Sequence, residues 1–170
     1  MVVDLIQHFR TNNHTKIGFT LSATFMIENF YDRIKEIADC SDLIFCNEDE
    51  AEAFAKVNSK DPEVNSLAIH KLLKLNENRI LIVTCGRDPV RITKYDYKNN
   101  QFEFVVKQYV PAVSNDEIVD TNGCGDSFVG GFLSQYVQGR SLTQCAQAGN
   151  FAASQIIRNI GCTFPEKCEL

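Results

Sequence analysis

Asp120-Thr121-Asn122-Gly123-Cys124-Gly125-Asp126-Ser127-Phe128 joins a polar, glycine-bearing turn to an apolar run. Val129, Phe132, Leu133 and Tyr136 follow at the spacing of one helical face. The glycines therefore stand at or just before a helix N-terminus. Without Cβ atoms there, backbone N–H groups can converge. The open helix start adds partial positive charge. Together these features predict a site for a phosphate-sized anion. Asp126 runs against that prediction, because a carboxylate repels an anion. Two readings account for it. Asp126 stabilises the helix start, as many aspartates do. Alternatively, it takes a proton from the nucleophile that attacks the anion. No Gly-Lys-Ser/Thr follows, which excludes a Walker-type phosphate loop. The third glycine and preceding apolar strand of the dinucleotide fingerprint are also missing.

Upstream, helical and strand patterns alternate. Val2, Leu5, Ile6 and Phe9 have helical spacing, ending near Asn12-Asn13. Lys16 to Leu21 reads as a strand, with Ile17, Phe19 and Thr20 favouring it. Ile27, Phe30, Tyr31, Ile34 and Ala38 define a second amphipathic helix. Asp42-Leu43-Ile44-Phe45-Cys46 is a short apolar run of the kind found in buried parallel strands. It leads into Asn47-Glu48-Asp49-Glu50 and a helix over roughly Glu48 to Lys56. Pro62 suits the first turn of the next helix, whose buried face is expected from Val64, Leu67, Ala68, Leu72 and Leu75. Arg79-Ile80-Leu81-Ile82-Val83-Thr84 is the clearest strand, and Cys85-Gly86-Arg87-Asp88-Pro89 the loop leaving it.

The pattern then changes. Val90 and Ile92, and later Phe102, Phe104 and Val106, alternate with polar residues around a Lys98-Asn99-Asn100 turn. This predicts an antiparallel hairpin inside an α/β series. Beyond the central turn, Leu142 to Asn159 reads as a helix that is apolar or small nearly all round, through Cys145, Ala146, Ala148, Gly149, Ala152, Ala153, Ile156 and Ile157. Such a helix is buried, and its small residues admit a close neighbour or a ligand. The alternation predicts an α/β protein with a mostly parallel sheet flanked by helices. Ligands of such sheets bind at the carboxyl ends of the strands. The loops after Cys46, after Thr84 and around Gly123 are the candidates for that edge.

The chain has 170 residues, enough for one domain, and a net charge of −5. The charge and the lack of a basic stripe argue against nucleic-acid binding. No apolar run approaches membrane-span length. Met1-Val2-Val3-Asp4 lacks the basic start of a signal peptide. Seven cysteines without a Cys-x-x-Cys pair make a zinc site unexpected and suit reduced thiols in the cytosol. His8, His14 and His70 show no ligand spacing, and His70 is expected at the surface or its boundary.

Asp120-Thr121-x-Gly123-x-Gly125-Asp126 resembles the C-terminal signature of the ribokinase-like (pfkB) carbohydrate and nucleoside kinases. Phe128 to Gln135 and the tail Gly161-Cys162-Thr163-Phe164-Pro165-Glu166-Lys167 narrow the resemblance to the adenosine kinases within it. Phe19 to Ala23 and Asn47 to Ala51 are similar to the same group. The matches run in family order from Phe19 to the C-terminus. The resemblance implies a ribokinase-like fold in which residues 1–170 form the C-terminal part of the kinase domain, with the N-terminal half and its lid absent. It implies ATP and Mg²⁺ as cofactors, adenosine as acceptor, and purine salvage as the setting. The cytoplasm is the expected compartment, with the nucleus as a second. The missing N-terminal half would carry most of the nucleoside pocket and complete the site. A cut parallel sheet also predicts an exposed apolar edge and self-association.

Residue by residue, the resemblance assigns Asp126 as the base for the nucleoside 5′-hydroxyl. The backbone N–H groups of Gly123, Cys124, Gly125 and Asp126 form the anion hole. Asn47-x-x-Glu50 matches the family's metal motif, in which Glu50 helps hold Mg²⁺ through water and Asn47 supports the phosphates or the metal's waters. The same spacing also reads as a helix capping box, and both can hold. Thr84 and Gly86 match a Thr-x-Gly stretch lining the ATP site. Asn122 faces nucleotide beside the anion hole. Asn150 corresponds to a residue flanking adenine, or is a polar residue satisfied by backbone. Arg87 pairs with phosphate or is a solvated loop arginine.

Three residues depart from the pattern. Cys124 and Ser127 stand in place of alanines, and Thr24 in place of a proline. At a helix N-terminus Cys124 is expected to have a lowered thiol pKa and high reactivity; otherwise it is a small residue that packing accepts. The alternatives to an adenosine kinase are a kinase of the same family for another nucleoside or sugar, and a noncatalytic nucleotide-binding fragment.

Overall fold

The computed structural model describes residues 2–11, 15–57, 68–96, 98–108 and 113–164, excluding the side chains of Arg10 and residues 102–105. These residues form two compact units, Met1–Cys85 with Arg91–Val105, and Gly86–Val90 with Val106–Leu170.

One sheet has its strands in the order β1 (Gly18–Thr20), β2 (Leu43–Asn47), β3 (Ile80–Cys85), β4 (Asp88–Asp96) and β5 (Gln101–Gln108), and the first unit holds β1 to β3 with β4 from Arg91 and β5 up to Val105. β1 pairs parallel with β2, Phe19 opposite Ile44, and β2 pairs parallel with β3, Phe45 opposite Ile82. Leu43, Ile44, Phe45, Ile80, Leu81, Ile82 and Val83 are all buried, so β2 and β3 are covered on both faces. That is why each reads as an unbroken apolar run. Only Gly86 and Arg87 separate β3 from β4, and two adjacent strands joined so tightly must run antiparallel. Gly86 takes a positive φ of 56°, which that turn requires. The predicted five-residue loop is therefore a tight hairpin turn. In the β4–β5 turn, the Asp96 carboxylate accepts from the Lys98 and Asn99 amides at 2.9 and 3.2 Å, and Asn100 adopts a φ of 52°. The sheet is thus mixed.

Around it stand α1 (Val2–Thr11), α2 (Thr24–Asp39), α3 (Glu48–Lys56) and the short α4 (Ile69–Leu72). Ile27, Tyr31, Ile34 and Ala38 of α2 meet Ala51 and Phe54 of α3 and Ile44, Cys46, Leu81 and Val83 of the sheet in one core. Phe30, expected on that face, is exposed, because non-helical dihedrals at that residue kink α2 and turn it outward. Thr24 is the first residue of α2, a position that suits proline as well. Of the α1 apolar residues only Ile6 is buried, and Val2, Leu5 and Phe9 are exposed. The Asn12-Asn13 end, the Pro62 start, Val64 and Leu67 lie outside the described residues. In α4 the buried residues are Ile69 and His70, followed by Leu73; Leu75 is exposed beyond the helix end.

His70 is therefore a core residue, not a surface one. Its Nε2 lies 3.1 Å from Thr93 Oγ1 and its ring stacks on Tyr95. Arg79 is buried too. It donates to the carbonyls of Ser41 at 3.2 Å, Lys74 at 2.8 Å and Asp39 at 3.0 Å. A cation this deep is tolerable because these acceptors replace water around it.

The second unit is dominated by α5 (Cys124–Tyr136) and α6 (Leu142–Ile156). An added Cβ on Gly131 would meet the Ala148 carbonyl oxygen at 2.5 Å, and one on Gly149 would meet the Phe128 ring at 2.8 Å. The small residues thus admit a neighbouring helix. On α5 the buried residues are Ser127, Phe128 and Phe132, so the covered stripe begins inside the turn motif. α6 ends three residues earlier than expected.

Candidate functional site

Asn47 and Thr84 come together at the carboxyl ends of β2 and β3, where they are partners across the parallel ladder. Thr84 Oγ1 donates to the Cys46 carbonyl at 3.4 Å. Asn47 caps α3: its Oδ1 accepts from the Glu50 amide at 2.8 Å. Glu50 returns the bond, accepting from the Asn47 amide at 3.1 Å and from Asn47 Nδ2 at 3.0 Å. The capping box is thus fully formed, and Glu50 is only 8% exposed. Its donor chemistry suits Mg²⁺: a hard oxygen ligand whose oxygens already accept protein N–H groups reaches the ion through water more readily than directly. No group of three metal-binding side chains occurs among the described residues. A surface groove of about 390 Å³ lies between α2 and α3, lined by Thr24, Glu28, Asp49, Glu52, Ala53, Lys56 and Val57. Three carboxylates against one lysine make it unsuited to phosphate.

The glycine turn belongs to the second unit. Gly123 caps α5 with a φ of 77° and no side-chain cap bond. The Cys124 amide donates to the Thr121 carbonyl at 3.3 Å, and the Ser127 amide opens the helical ladder on Gly123 at 2.9 Å. Among the described residues, no acceptor meets the amides of Gly125 and Asp126. They are the orphan donors of a helix start, beside partial positive charge. Gly125, Asp126 and Asn122 are exposed. Asp126 makes no cap bond, so the local reading that keeps it as a structural residue rests on the helix dipole alone.

The turn is held from behind. Val119 and Asp120 donate to the Ile157 carbonyl at 2.9 and 3.3 Å. Glu117, at the end of a 3-10 turn over Asn115–Glu117, accepts from Arg158 Nε at 3.1 Å. Asp120 accepts from the Asn122 amide at 2.9 Å and from the Gly161 amide at 3.0 Å. The Asn122 bond foremost, and then the Gly161 bond, hold the Asp120 carboxyl below its usual range. Sequence reasoning gave Asp120 no role, although Asp two residues before a turn amide is an Asx-turn signal. It also missed Cys162. An ideal Cβ on Gly123 would overlap the Cys162 Sγ and lie 3.5 Å from its Cβ, so that cysteine packs directly on the turn.

Cys124 reverses its expectation. Burial, then the Asp120 charge, then Cys162 push its thiol up, not down. Its Sγ faces the carbonyls of Asp120 and Ala153 at 4.0 and 3.9 Å. Arg87 is exposed and donates to Asn115. Asn150 is buried on α6.

The first unit carries a capped carboxylate at parallel strand ends, and the second a helix opening in free amides beside an exposed aspartate. In an α/β protein, a helix start with open amides is a ready site for an anion. Residues 2–168 match the pfkB family of carbohydrate kinases, and the chain belongs to that family. It is 36% identical over 171 residues to adenosine kinase 1 of Arabidopsis thaliana, covering 97% of this chain and 47% of that protein. Among solved structures it resembles adenosine kinase from Schistosoma mansoni in complex with 2-fluoroadenosine, at 27% identity and a TM-score of 0.82, over 96% of this chain and 48% of the other. It likewise resembles Anopheles gambiae adenosine kinase in complex with P1,P4-di(adenosine-5) tetraphosphate, at 30% identity and a TM-score of 0.77, over 98% and 49%. The chain spans about half the length of the curated relatives it matches.

Proposed function

We propose that this chain is the ATP-side half of an adenosine kinase, which transfers the ATP γ-phosphate to the adenosine 5′-hydroxyl to give AMP. The observation that carries the reading is the pairing of an exposed Asp126 carboxylate with the free Gly125 and Asp126 amides at one helix start. A carboxylate there is costly for phosphate binding unless it handles a proton. In this reading Asp126 accepts the hydroxyl proton as the oxygen attacks phosphorus, and the amides of Gly123 to Asp126 stabilise the transferring charge. Thr84, Gly86, Asn122 and Asn150 line the nucleotide. Glu50 and Asn47 hold Mg²⁺ through water, which would neutralise phosphate charge when bound. The half of the relatives that this chain does not match would supply the nucleoside pocket and lid, and residues 1–170 act as one part of that larger domain. The names of the relatives support adenosine as the acceptor.

The test is ATP-dependent phosphorylation of adenosine, with other nucleosides and sugars as competing acceptors. Asp126→Asn should cost about 10²–10⁴ in rate while leaving ATP affinity nearly unchanged. Turnover that survives Asp126→Asn would refute the base assignment. ATP binding without turnover in a folded sample would favour a noncatalytic nucleotide-binding fragment.

A further inference from the structure

We propose that Cys124 and Cys162 form a redox-responsive thiol pair whose disulfide would lock the glycine turn to the C-terminal segment. The observations are geometric. Cys162 is exposed and lies in a stretch without helix or strand, and its Sγ occupies the space a Gly123 side chain would need. Cys124 is the next residue, and consecutive Cα atoms are about 3.8 Å apart. The neighbouring Gly161 amide is tied to Asp120 at 3.0 Å, so position 162 is held over the turn. Asp120 also offers its carbonyl to the Cys124 thiol, so Cys124 and the residue before Cys162 are both bound to Asp120. Both are free cysteines.

The chemistry assigns different roles to the two. Cys162 is the accessible thiol, and burial holds Cys124 in its neutral form. With a peroxide as oxidant, the Cys162 thiolate attacks one peroxide oxygen. An S–O bond forms, the O–O bond breaks, and the leaving oxygen departs as water. The Cys124 sulfur then attacks the Cys162 sulfenic acid. The S–S bond forms, the S–O bond breaks, and hydroxide leaves as water with the Cys124 proton. Two thiols lose two electrons and two protons, and the peroxide becomes two waters. To reach Cys162, the Cys124 side chain must leave its place between the Asp120 and Ala153 carbonyls. Cys124 is the first residue of α5, so that movement disturbs the free amides next to it. The expected consequence for ATP rests on the proposed function; disulfide formation does not.

The experiment treats the whole chain with hydrogen peroxide, digests it without reduction and maps cross-links by mass spectrometry. A Cys124–Cys162 peptide pair should appear, reverse with dithiothreitol, and be missing in Cys124→Ala and Cys162→Ser. ATP affinity, measured on the same samples, should fall at least tenfold on oxidation and recover on reduction. Cys162 found as sulfinic acid with Cys124 still a free thiol would overturn the pairing. So would Cys162 bridged to Cys168 or to any other cysteine. Should reduced protein fail to bind ATP while the Cys124–Cys162 link forms, the proposed function fails and the thiol pair stands.

Discussion

His70 shows how far a single side chain can be from what its neighbours in sequence suggest. Burial first, and then the Arg79 charge, pull its pKa down to about 4, with the Thr93 bond opposing them in part. The folded state therefore holds a neutral imidazole where the unfolded chain takes up a proton near pH 6.5. Between those values the unfolded state binds more protons, so stability falls as pH drops from 6.5 towards 4 and is flat above. A shift of this size corresponds to about 3 kcal/mol. Urea midpoints should drop across that window, and His70→Gln should flatten the dependence. Glu50 poses the opposite problem, since one side chain serves two readings. Glutamine keeps a capping box but loses the charge. Glu50→Gln should hold stability within about 1 kcal/mol and raise the magnesium concentration needed for ATP binding. A large loss of stability with an unchanged magnesium requirement would leave Glu50 a structural residue only.

At the scale of elements, the contact between α5 and α6 makes two adjacent glycines behave oppositely. A Cβ on Gly131 would meet the Ala148 carbonyl at 2.5 Å and the Ala152 Cβ at 3.0 Å, whereas one on Gly130 meets nothing within 4 Å. Backbone cannot give way as a flexible side chain can, so Gly131→Ala should destabilise by roughly 1–3 kcal/mol. Gly130→Ala should stabilise by about 0.5–1 kcal/mol through helix propensity. Thermal melting of the two variants checks both signs. The same scale shows what was legible beforehand. β2, β3, α3 and the glycine turn were readable because continuous apolar runs, capping spacing and turn residues are local signals. The burial of His70 and Arg79 was not, because it depends on Thr93 and on the carbonyls of Ser41, Asp39 and Lys74, contributed by other elements. The kink at Phe30 carries no proline or glycine to announce it. Cys162 over Gly123 was hidden for the same reason as His70: nothing near either residue encodes the contact. The Cys124 expectation failed because burial and the Asp120 carboxylate oppose the helix-start charge.

At the scale of the whole molecule, the sheet ends at β1, a strand of only three residues, and α1 leaves Val2, Leu5 and Phe9 exposed. A parallel strand at a sheet edge carries unpaired N–H and C=O groups that invite another chain. The isolated chain should self-associate, and light scattering should report a mass that rises with concentration. A monodisperse monomer over the same range would count against it. Under the proposed function, the open amides after Gly123 receive nucleotide phosphate. The most direct test is backbone amide NMR of this chain during titration with magnesium ATP. The account predicts that the amides of Gly123, Cys124, Gly125 and Asp126 shift saturably with nucleotide. Unmoved amides at these four positions, with shifts confined to the groove between α2 and α3, would contradict it.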